Sequence, residues 1–370
     1  MTEAMTRRGL QEPGIRLARL VCVLLALTLL ASCGRPRPAP PPSPFAPMPE
    51  AHSNNAVAAA ERDGRAYLYS FMGLKAGRTA ADISTAAFEY DIAADRWRRI
   101  DPVPVPKGRL ASTAAVIGNR IYLFGGYTVA PDGHEVSTPH VFRYDPESGR
   151  YRRLADIPKP VDDSVALAYA ERYVYLVSGW HQDGNVADVQ VFDSRDGVWF
   201  NATAFPGTPV FGHAAGILGN RMLVIDGVAV LGRTDGKRRF AIVRQAWLGT
   251  INPDDPSDIA WRRVTDHAGP GLYRAAGGGA PDFGLVVFAG GATRAYNYSG
   301  IGYDGGPADP SRHVFGYDPE NDVWLGFADK AIPSMDHRGL VAAGGALWTI
   351  GGMGRGQQVI PWLDRIVPAD

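Results

Sequence analysis

The feature that most constrains this 370-residue chain is a glycine pair that recurs at intervals of roughly 50 to 60 residues. Each pair, or its one remaining glycine, ends a short run of β-forming residues, as in residues 121–126 (IYLFGG). Aligned on the last glycine, the six units are marked by Gly73, Gly126, Gly179, Gly227, Gly291 and Gly352. A repeat of this length predicts separate small sheets that cover one another's faces.

Most units continue with Tyr-Asp and then with a second aromatic residue, as in Tyr317, Asp318 and Trp324 of the fifth unit. Such side chains bury about 150 to 250 Å² each, so we interpret them as wedges between neighbouring sheets and assign them no function. Each unit is predicted to contain strand A (small residues), strand B (ending in glycine), strand C (ending in Tyr-Asp) and strand D (Trp). Short turns such as residues 118–120 join A to B.

These motifs resemble Kelch repeats. The resemblance implies an all-β fold, a six-bladed Kelch β-propeller of residues 51–370 with four antiparallel strands per blade and strand A nearest the axis. The sixth unit lacks a recognisable strand D, so we expect the N-terminal Pro44–Pro49 to close the ring there.

The N-terminus predicts export and lipidation. Residues 1–33 combine arginines with an apolar stretch, Leu20–Leu30, that is too short to span a bilayer. Residues 30–33 (LASC) resemble a bacterial lipobox, which makes Cys33 the predicted lipidation site; a plain secretory signal is the alternative. Residues 34–50 hold eight prolines and are predicted to form a semi-extended tether. We therefore expect a protein anchored by lipid in the bacterial cell envelope, facing the periplasm from the outer membrane where the host has two membranes.

Composition excludes several function classes. A net charge of zero gives no electrostatic case for a nucleic-acid partner. Cys22 and Cys33 are the only cysteines, and neither lies in the repeats. Kelch-type galactose oxidases need a tyrosine crosslinked to a cysteine for their copper-radical chemistry, so we exclude that activity here. The histidines show no metal-ligand spacing, and we expect no metal, no cofactor and a monomer.

The connections B–C and D–A vary in length, which indicates a functional face. The longest B–C connection spans residues 292–313, and its aromatic, amide and charged residues are typical of a sugar site; an ordered loop that packs on the neighbouring blade is the alternative. Arg274 and Arg338 begin strands A of blades five and six. With Arg294 they form a hypothetical clamp for an anion, the alternative being pairing with Asp162, Asp163, Asp304 or Asp336. The predicted ligand-binding residues are Arg274, Arg294, Arg338, Tyr296, Asn297, Tyr298 and Asp304.

The sequence suggests two alternative functions. The first is a membrane-anchored binding or protein-interaction module whose ligand is a small carbohydrate or an envelope protein. The alternative rests on a resemblance to N-acetylneuraminate epimerases in residues 287–292 (VFAGGA) and the long loop after them. That resemblance implies a sugar mutarotase acting on an acidic sugar, with Arg274 and Arg338 as the clamp and Asp304 or a loop tyrosine as the proton carrier. Those proteins carry a long insertion in a middle blade, which is absent between Gly179 and Val191. No catalytic residue is assigned from the sequence.

The lipidation site gives a direct test. We expect Cys33→Ser to abolish lipid attachment, because the thiol is the acyl acceptor, and to move the protein from the membrane to the soluble fraction. Mass spectrometry of the mature N-terminus measures the change, and Cys22→Ser is the matched control. A Cys33→Ser protein that stays with the membranes contradicts the prediction.

Overall fold

A computed structural model describes residues 43–368. The predicted signal peptide, Cys33 and most of the proline-rich tether lie outside the described residues. In the described range, no helix has the length and apolar character needed to cross a membrane.

Six antiparallel sheets follow one another along the chain, as the repeat predicts. Blades 1 to 3 consist of β1 (Ala56–Arg62), β2 (Arg65–Leu74), β3 (Ile83–Asp91) and β4 (Arg96–Ile100); β5 (Thr113–Ile117), β6 (Arg120–Phe124), β9 (Val141–Asp145) and β10 (Arg150–Arg153); and β11 (Val165–Tyr169), β12 (Tyr173–Val177), β15 (Val189–Asp193) and β16 (Val198–Ala202). Blades 4 to 6 consist of β17 (Ala214–Leu218), β18 (Arg221–Ile225), β21 (Ala246–Ile251) and β22 (Ile259–Arg263); β23 (Ala276–Ala280), β24 (Leu285–Ala289), β25 (Val314–Asp318) and β26 (Val323–Gly326); and β27 (Val341–Ala343), β28 (Ala346–Ile350) and β29 (Leu363–Ile366).

Three extra hairpins extend the B–C connections of blades 2 to 4. They pair β7 (Tyr127–Val129) with β8 (Glu135–Ser137), β13 (Trp180–His181) with β14 (Gly184–Asn185), and β19 (Val228–Thr234) with β20 (Lys237–Ile242). Single-turn 3-10 helices span Ala80–Asp82, Pro281–Phe283 and Arg355–Gln357.

Strand A of every blade lies against strand A of its two neighbours, which closes the ring and places these strands innermost. Small residues are required there because the backbones approach one another closely. A Cβ added to Gly278 of β23 would lie 2.1 Å from the carbonyl oxygen of Leu340 in blade 6. The predicted position of strand A is confirmed.

The backbone explains why a degenerate repeat always keeps its last glycine. The first position of the pair has φ near +55°, with 54° at Ser178 and 56° at Asp226, a region that residues with side chains can enter. The second position has φ of 118° at Gly179 and 94° at Gly227, where a side chain is disfavoured. The first glycine is therefore replaceable and the second is not.

The N-terminal segment closes the ring at blade 6, whose sheet has three strands. The Met48 N–H donates to the Pro361 carbonyl at 2.8 Å, and the Ser43 hydroxyl donates to the Leu363 carbonyl at 2.7 Å. Prolines recur every two or three residues in this segment and lack an N–H, so they prevent a regular ladder of backbone hydrogen bonds. The predicted closure is present, but as an extended segment rather than a fourth strand.

The φ angles predict that two glycine substitutions in blade 2 lower the free energy of unfolding by different amounts. Gly126→Ala should lower the free energy of unfolding by about 3 kcal/mol or more, because φ is 79° and the new Cβ would meet the Ser112 hydroxyl oxygen at 2.3 Å. Gly118→Asn, at φ 53° with open space around it, should cost less than about 1 kcal/mol. Urea unfolding followed by tryptophan fluorescence measures both, and equal costs would contradict the argument.

Candidate functional site

The site is organised around one residue per blade that lies immediately before, or close to the start of, strand A. These six residues have left-handed backbones, with φ from 49° to 67°: Asn54, Ala111, Asp163, Gly212, Arg274 and Asp336. Backbone hydrogen bonds link successive members, for example from Gly212 N–H to Asp163 O and from Arg274 N–H to Gly212 O, both at 2.7 Å. The ring brings residues far apart in sequence together at the axis.

Four charged side chains fill the centre of this ring. Arg274 donates through Nε and Nη2 to both oxygens of Asp163, at 3.1 and 2.6 Å, and through Nη1 to Asp336 at 2.9 Å. Arg338 donates through Nη1 to Asp163, and its Nη2 lies 3.8 Å from an oxygen of Asp336. None of the four side chains is more than 3% exposed. We call this group the axial ion cluster.

The cluster balances its own charge. Burial alone would raise the pKa of Asp163, but the positive charges of Arg274 and Arg338 outweigh burial and hold its pKa below the ordinary value. Two guanidinium groups face two carboxylates, so the cluster offers a ligand no surplus positive charge.

The three arginines of the hypothetical clamp are not brought together. Arg274 and Arg338 meet in the axial ion cluster, whereas Arg294 pairs with Asp304 at 2.5 Å on the exposed loop. The sequence left open whether the arginines would pair with aspartates, and the structure contains those pairs. Binding of a ligand anion by these arginines stays a prediction.

A cavity of about 190 Å³ lies on the outer side of the cluster, on the face that carries the variable connections. Its walls are contributed by β7–β8, β13–β14, β19–β20 and the 292–313 loop, and its floor by the residues before strands A. The lining residues are aromatic (Tyr127, Trp180, Phe211, Phe240, Tyr298, Tyr303) or polar and charged (Glu135, Asp162, Asp163, Arg238, Arg274, Asn297). We call this cavity the central pocket.

The long loop contributes to the pocket only in part. Of its predicted residues, Asn297 and Tyr298 line the pocket, while Asp304 does not. Tyr296 is fully buried and supports the floor: its ring lies 4.9 Å from that of Tyr273 and 5.3 Å from the Arg274 guanidinium. The loop is thus both a pocket wall and a packed element of the fold.

Sequence reasoning missed Glu135, Arg238 and Phe240 as pocket residues. All three lie on the extra hairpins of blades 2 and 4, which are separated from the loop by 50 or more residues of chain. The available signal was the length of the fourth B–C connection and its Asp-Gly turn at 235–236, which lies between the apolar runs 228–231 and 240–242.

Two neighbouring carboxyl groups of the pocket, those of Asp162 and Asp163, have pKa values shifted in opposite directions. Burial, together with the negative charge of Asp163, raises the pKa of Asp162 well above its ordinary range, although the Ser137 hydroxyl donates to Asp162 Oδ2 at 2.5 Å. Burial also raises the pKa of Glu135, which keeps accessible surface at the pocket mouth. Adjacent carboxyl groups therefore have pKa values shifted in opposite directions, an arrangement typical of acid–base sites. In the described part of the chain, no group of three or more metal-ligating side chains could hold a metal ion.

Comparison with known proteins agrees with the architecture. A family model for the Kelch motif matches residues 108–158, which span blade 2. This chain is a six-bladed β-propeller that contains a Kelch motif. It is 31% identical over 114 residues to Kelch-like protein 15 of Gallus gallus, an alignment that covers 31% of this chain and 23% of that protein. It is 23% identical over 224 residues to human Kelch domain-containing protein 1, covering 51% and 54%.

The propeller also resembles solved structures. The structure of YjhT aligns with a TM-score of 0.69 at 17% identity, covering 89% of this chain and 98% of that one. Identity at this level shows the fold alone. Because the chain spans about a quarter to a half of the length of the two curated relatives named, their whole-protein activities are not transferred to it.

Substitution of the two neighbouring aspartates, Asp162 and Asp163, should change the free energy of unfolding in opposite directions. Asp162→Asn should raise the free energy of unfolding at pH 7 by about 1 to 3 kcal/mol, because the folded state resists ionisation of Asp162. Since the folded pKa is raised, this gain should vanish below about pH 3.9, where the unfolded carboxyl is also protonated.

Asp163→Asn is the matched control. It should lower the free energy of unfolding by about 3 to 5 kcal/mol at pH 7, because it leaves buried guanidinium charge unbalanced. This loss should become smaller as the pH falls through the lowered pKa of Asp163 in the folded state. Urea unfolding between pH 3 and 8 measures both. A destabilising Asp162→Asn at pH 7 would contradict this account of the pocket.

Proposed function

We propose that this propeller is a carbohydrate-binding module and that the central pocket holds one sugar ring. The observation that carries the proposal is a cavity of about 190 Å³ with aromatic walls and carboxyl groups at its floor. Aromatic faces pack against sugar C–H surfaces, while carboxyl and amide groups exchange hydrogen bonds with hydroxyls. Few convergent polar groups in an apolar cleft are typical of small-ligand sites.

The charge balance favours a neutral or amino sugar in the pocket. The positive charge of Arg274 is already matched by Asp163 and Asp336, so a ligand carboxylate would have to displace one of them. Hydroxyl groups, in contrast, exchange hydrogen bonds with Asp162 and Glu135 in either protonation state, and a ligand ammonium group would favour their ionised form. This preference differs from the acidic sugar that the sequence suggested for the alternative function.

Catalysis of anomer exchange is the second candidate, because the reaction needs a proton donor and a carboxyl group with a raised pKa suits that role. Ring opening moves a proton from the anomeric hydroxyl to a base and another proton to the ring oxygen. The raised pKa of Asp162 makes it the candidate acid, and Glu135 at the pocket mouth is the candidate base. The resemblance of the sequence to N-acetylneuraminate epimerases supports the same reaction type.

The proposed location is the cell envelope, where Cys33 and the proline-rich tether would present the propeller at a membrane surface. Such a position suits capture of envelope or imported saccharides. The support for it is the lipobox-like sequence of residues 30–33.

Binding is tested with the mature, detergent-solubilised protein by thermal shift and calorimetry against glucose, N-acetylglucosamine, glucosamine and N-acetylneuraminate. A bound ligand at 100 times its dissociation constant should stabilise the protein by about 2.7 kcal/mol. Tyr298→Ala should weaken binding about tenfold through lost stacking. Phe283→Ala, a half-buried aromatic on the opposite face, is its control.

Asp162→Asn separates the two candidates. The amide can still donate and accept, so binding should stay within about threefold, while anomer exchange measured by NMR should disappear if Asp162 is the acid. Asp282→Asn, an exposed aspartate on the opposite face, is the control. If no sugar shifts the melting temperature and none is affected by Tyr298→Ala, the binding proposal is wrong and a protein partner takes its place.

A further inference from the structure

The central pocket is the middle of a longer groove. On one side it shares Arg238, Phe240 and Tyr303 with an open cleft of about 390 Å³ along β19–β20. On the other side it shares Tyr298 with a groove of about 1000 Å³ between the B–C loop of blade 1 and the β7–β8 hairpin. Because adjacent depressions share lining residues, they lie next to one another across the face, and we treat the three as one groove.

Charge is segregated along this groove. The blade 1 end is lined by Lys75, Arg78 and Lys107 and the blade 4 end by Arg233, Lys237 and Arg238, and no carboxylate lines either end. The groove's carboxylates are confined to the central pocket. We call the two ends the cationic arms.

Most of the charge of the arms is unmatched by the fold, although Arg238 pairs with Asp183 at 2.5 Å. Among residues 43–368, Lys75, Lys107, Arg233 and Lys237 have no carboxylate within ion-pair distance, although the chain as a whole has a net charge of zero. Unmatched cations concentrated in concave surfaces attract anions and concentrate them locally.

The blade 4 arm is also held in place by aromatic contacts. The Phe240 and Tyr303 rings stack at 4.1 Å between the pocket and the cleft, and the Arg238 guanidinium lies 5.2 Å from the Trp180 ring centre. Tyr303 is 44% exposed, so its ring offers a stacking surface to a ligand that passes from pocket to arm.

We infer that the groove binds an extended acidic oligosaccharide, with a neutral or amino sugar in the central pocket and acidic residues on the cationic arms. This inference rests on the proposed function of the pocket and names its ligand class. A nucleic-acid strand fits less well, because it carries a phosphate at every residue and would bring negative charge against Glu135 and Asp163. A lipid surface fits less well, because the groove is concave and its hairpins expose few large apolar side chains, Val136 and Leu231.

Calorimetry on the mature protein compares two probes of equal length, a hyaluronan hexasaccharide, which alternates glucuronate with N-acetylglucosamine, and chitohexaose in its fully N-acetylated, uncharged form. At 50 mM salt the acidic probe should bind about tenfold more tightly or better. This advantage should shrink at 500 mM salt, because exposed charge pairs are screened.

The arm variant combines Lys75→Ser, Lys107→Ser, Arg233→Ser and Lys237→Ser. It should remove the advantage of the acidic probe and leave binding of N-acetylglucosamine unchanged. The control variant removes four exposed arginines outside the groove that lack ion-pair partners in the described structure: Arg65→Ser, Arg96→Ser, Arg152→Ser and Arg195→Ser. It should bind both probes as the unmodified protein does.

The outcomes separate the two proposals. If N-acetylglucosamine binds but the acidic hexasaccharide binds no tighter than chitohexaose, or if the control variant loses as much affinity as the arm variant, the extended groove is wrong and the pocket proposal stands. If no saccharide binds, both are wrong. Arm-dependent binding of a single-stranded oligonucleotide or of phosphatidylglycerol vesicles in place of the hexasaccharide would also overturn the inference.

Discussion

The rest of the structure depends on the buried pairing of Arg274 and Arg338 with Asp163 and Asp336 at the propeller axis. Removing four charges from water is costly, and only their close mutual contacts offset that cost. The pairs join blades 3, 5 and 6 across the centre, where strands A are built from small residues and leave space that apolar side chains do not fill. The same pairing fixes the floor of the central pocket and determines which charges remain for a ligand.

The axial ion cluster also sets the chemistry of its neighbour. Two guanidinium groups lower the pKa of Asp163, whereas at the adjacent Asp162 burial and the negative charge of Asp163 outweigh the Ser137 hydrogen bond and the charge of Arg274. Two residues adjacent in the chain therefore have carboxyl pKa values shifted in opposite directions. Burial of Asp162 beside Asp163 lowers the stability of the fold, which makes Asp162 the most informative position in the pocket. The surplus positive charge of the face lies further out, on flexible lysines and arginines of loops and hairpins.

Sequence reasoning succeeded where local backbone geometry decides the outcome. The last glycine of each pair is required by its φ angle, the small residues of strand A by the close approach of backbones, and the tyrosines and tryptophans by packing between blades. It was also correct that the variable connections share one face. It did not find Glu135, Arg238 and Phe240, because their meeting depends on how far each hairpin leans over the axis. The segment before blade 1 was recognised as the closing element, but its prolines left it an extended segment beside β29.

The sequence by itself determined the number of blades, the order of strands within them, the face that carries the variable connections and the residues that approach the axis, since each of these follows from periodic local constraints. Only the tertiary structure decided which charges neutralise one another. Arg274 and Arg294 look alike in the sequence, yet the first is buried against two aspartates and the second pairs with Asp304 in solvent. The physical reason is that an ion pair is defined by distance and desolvation in three dimensions, and a chain that wraps around six blades brings together residues more than 100 positions apart, as in Asp163 and Arg274.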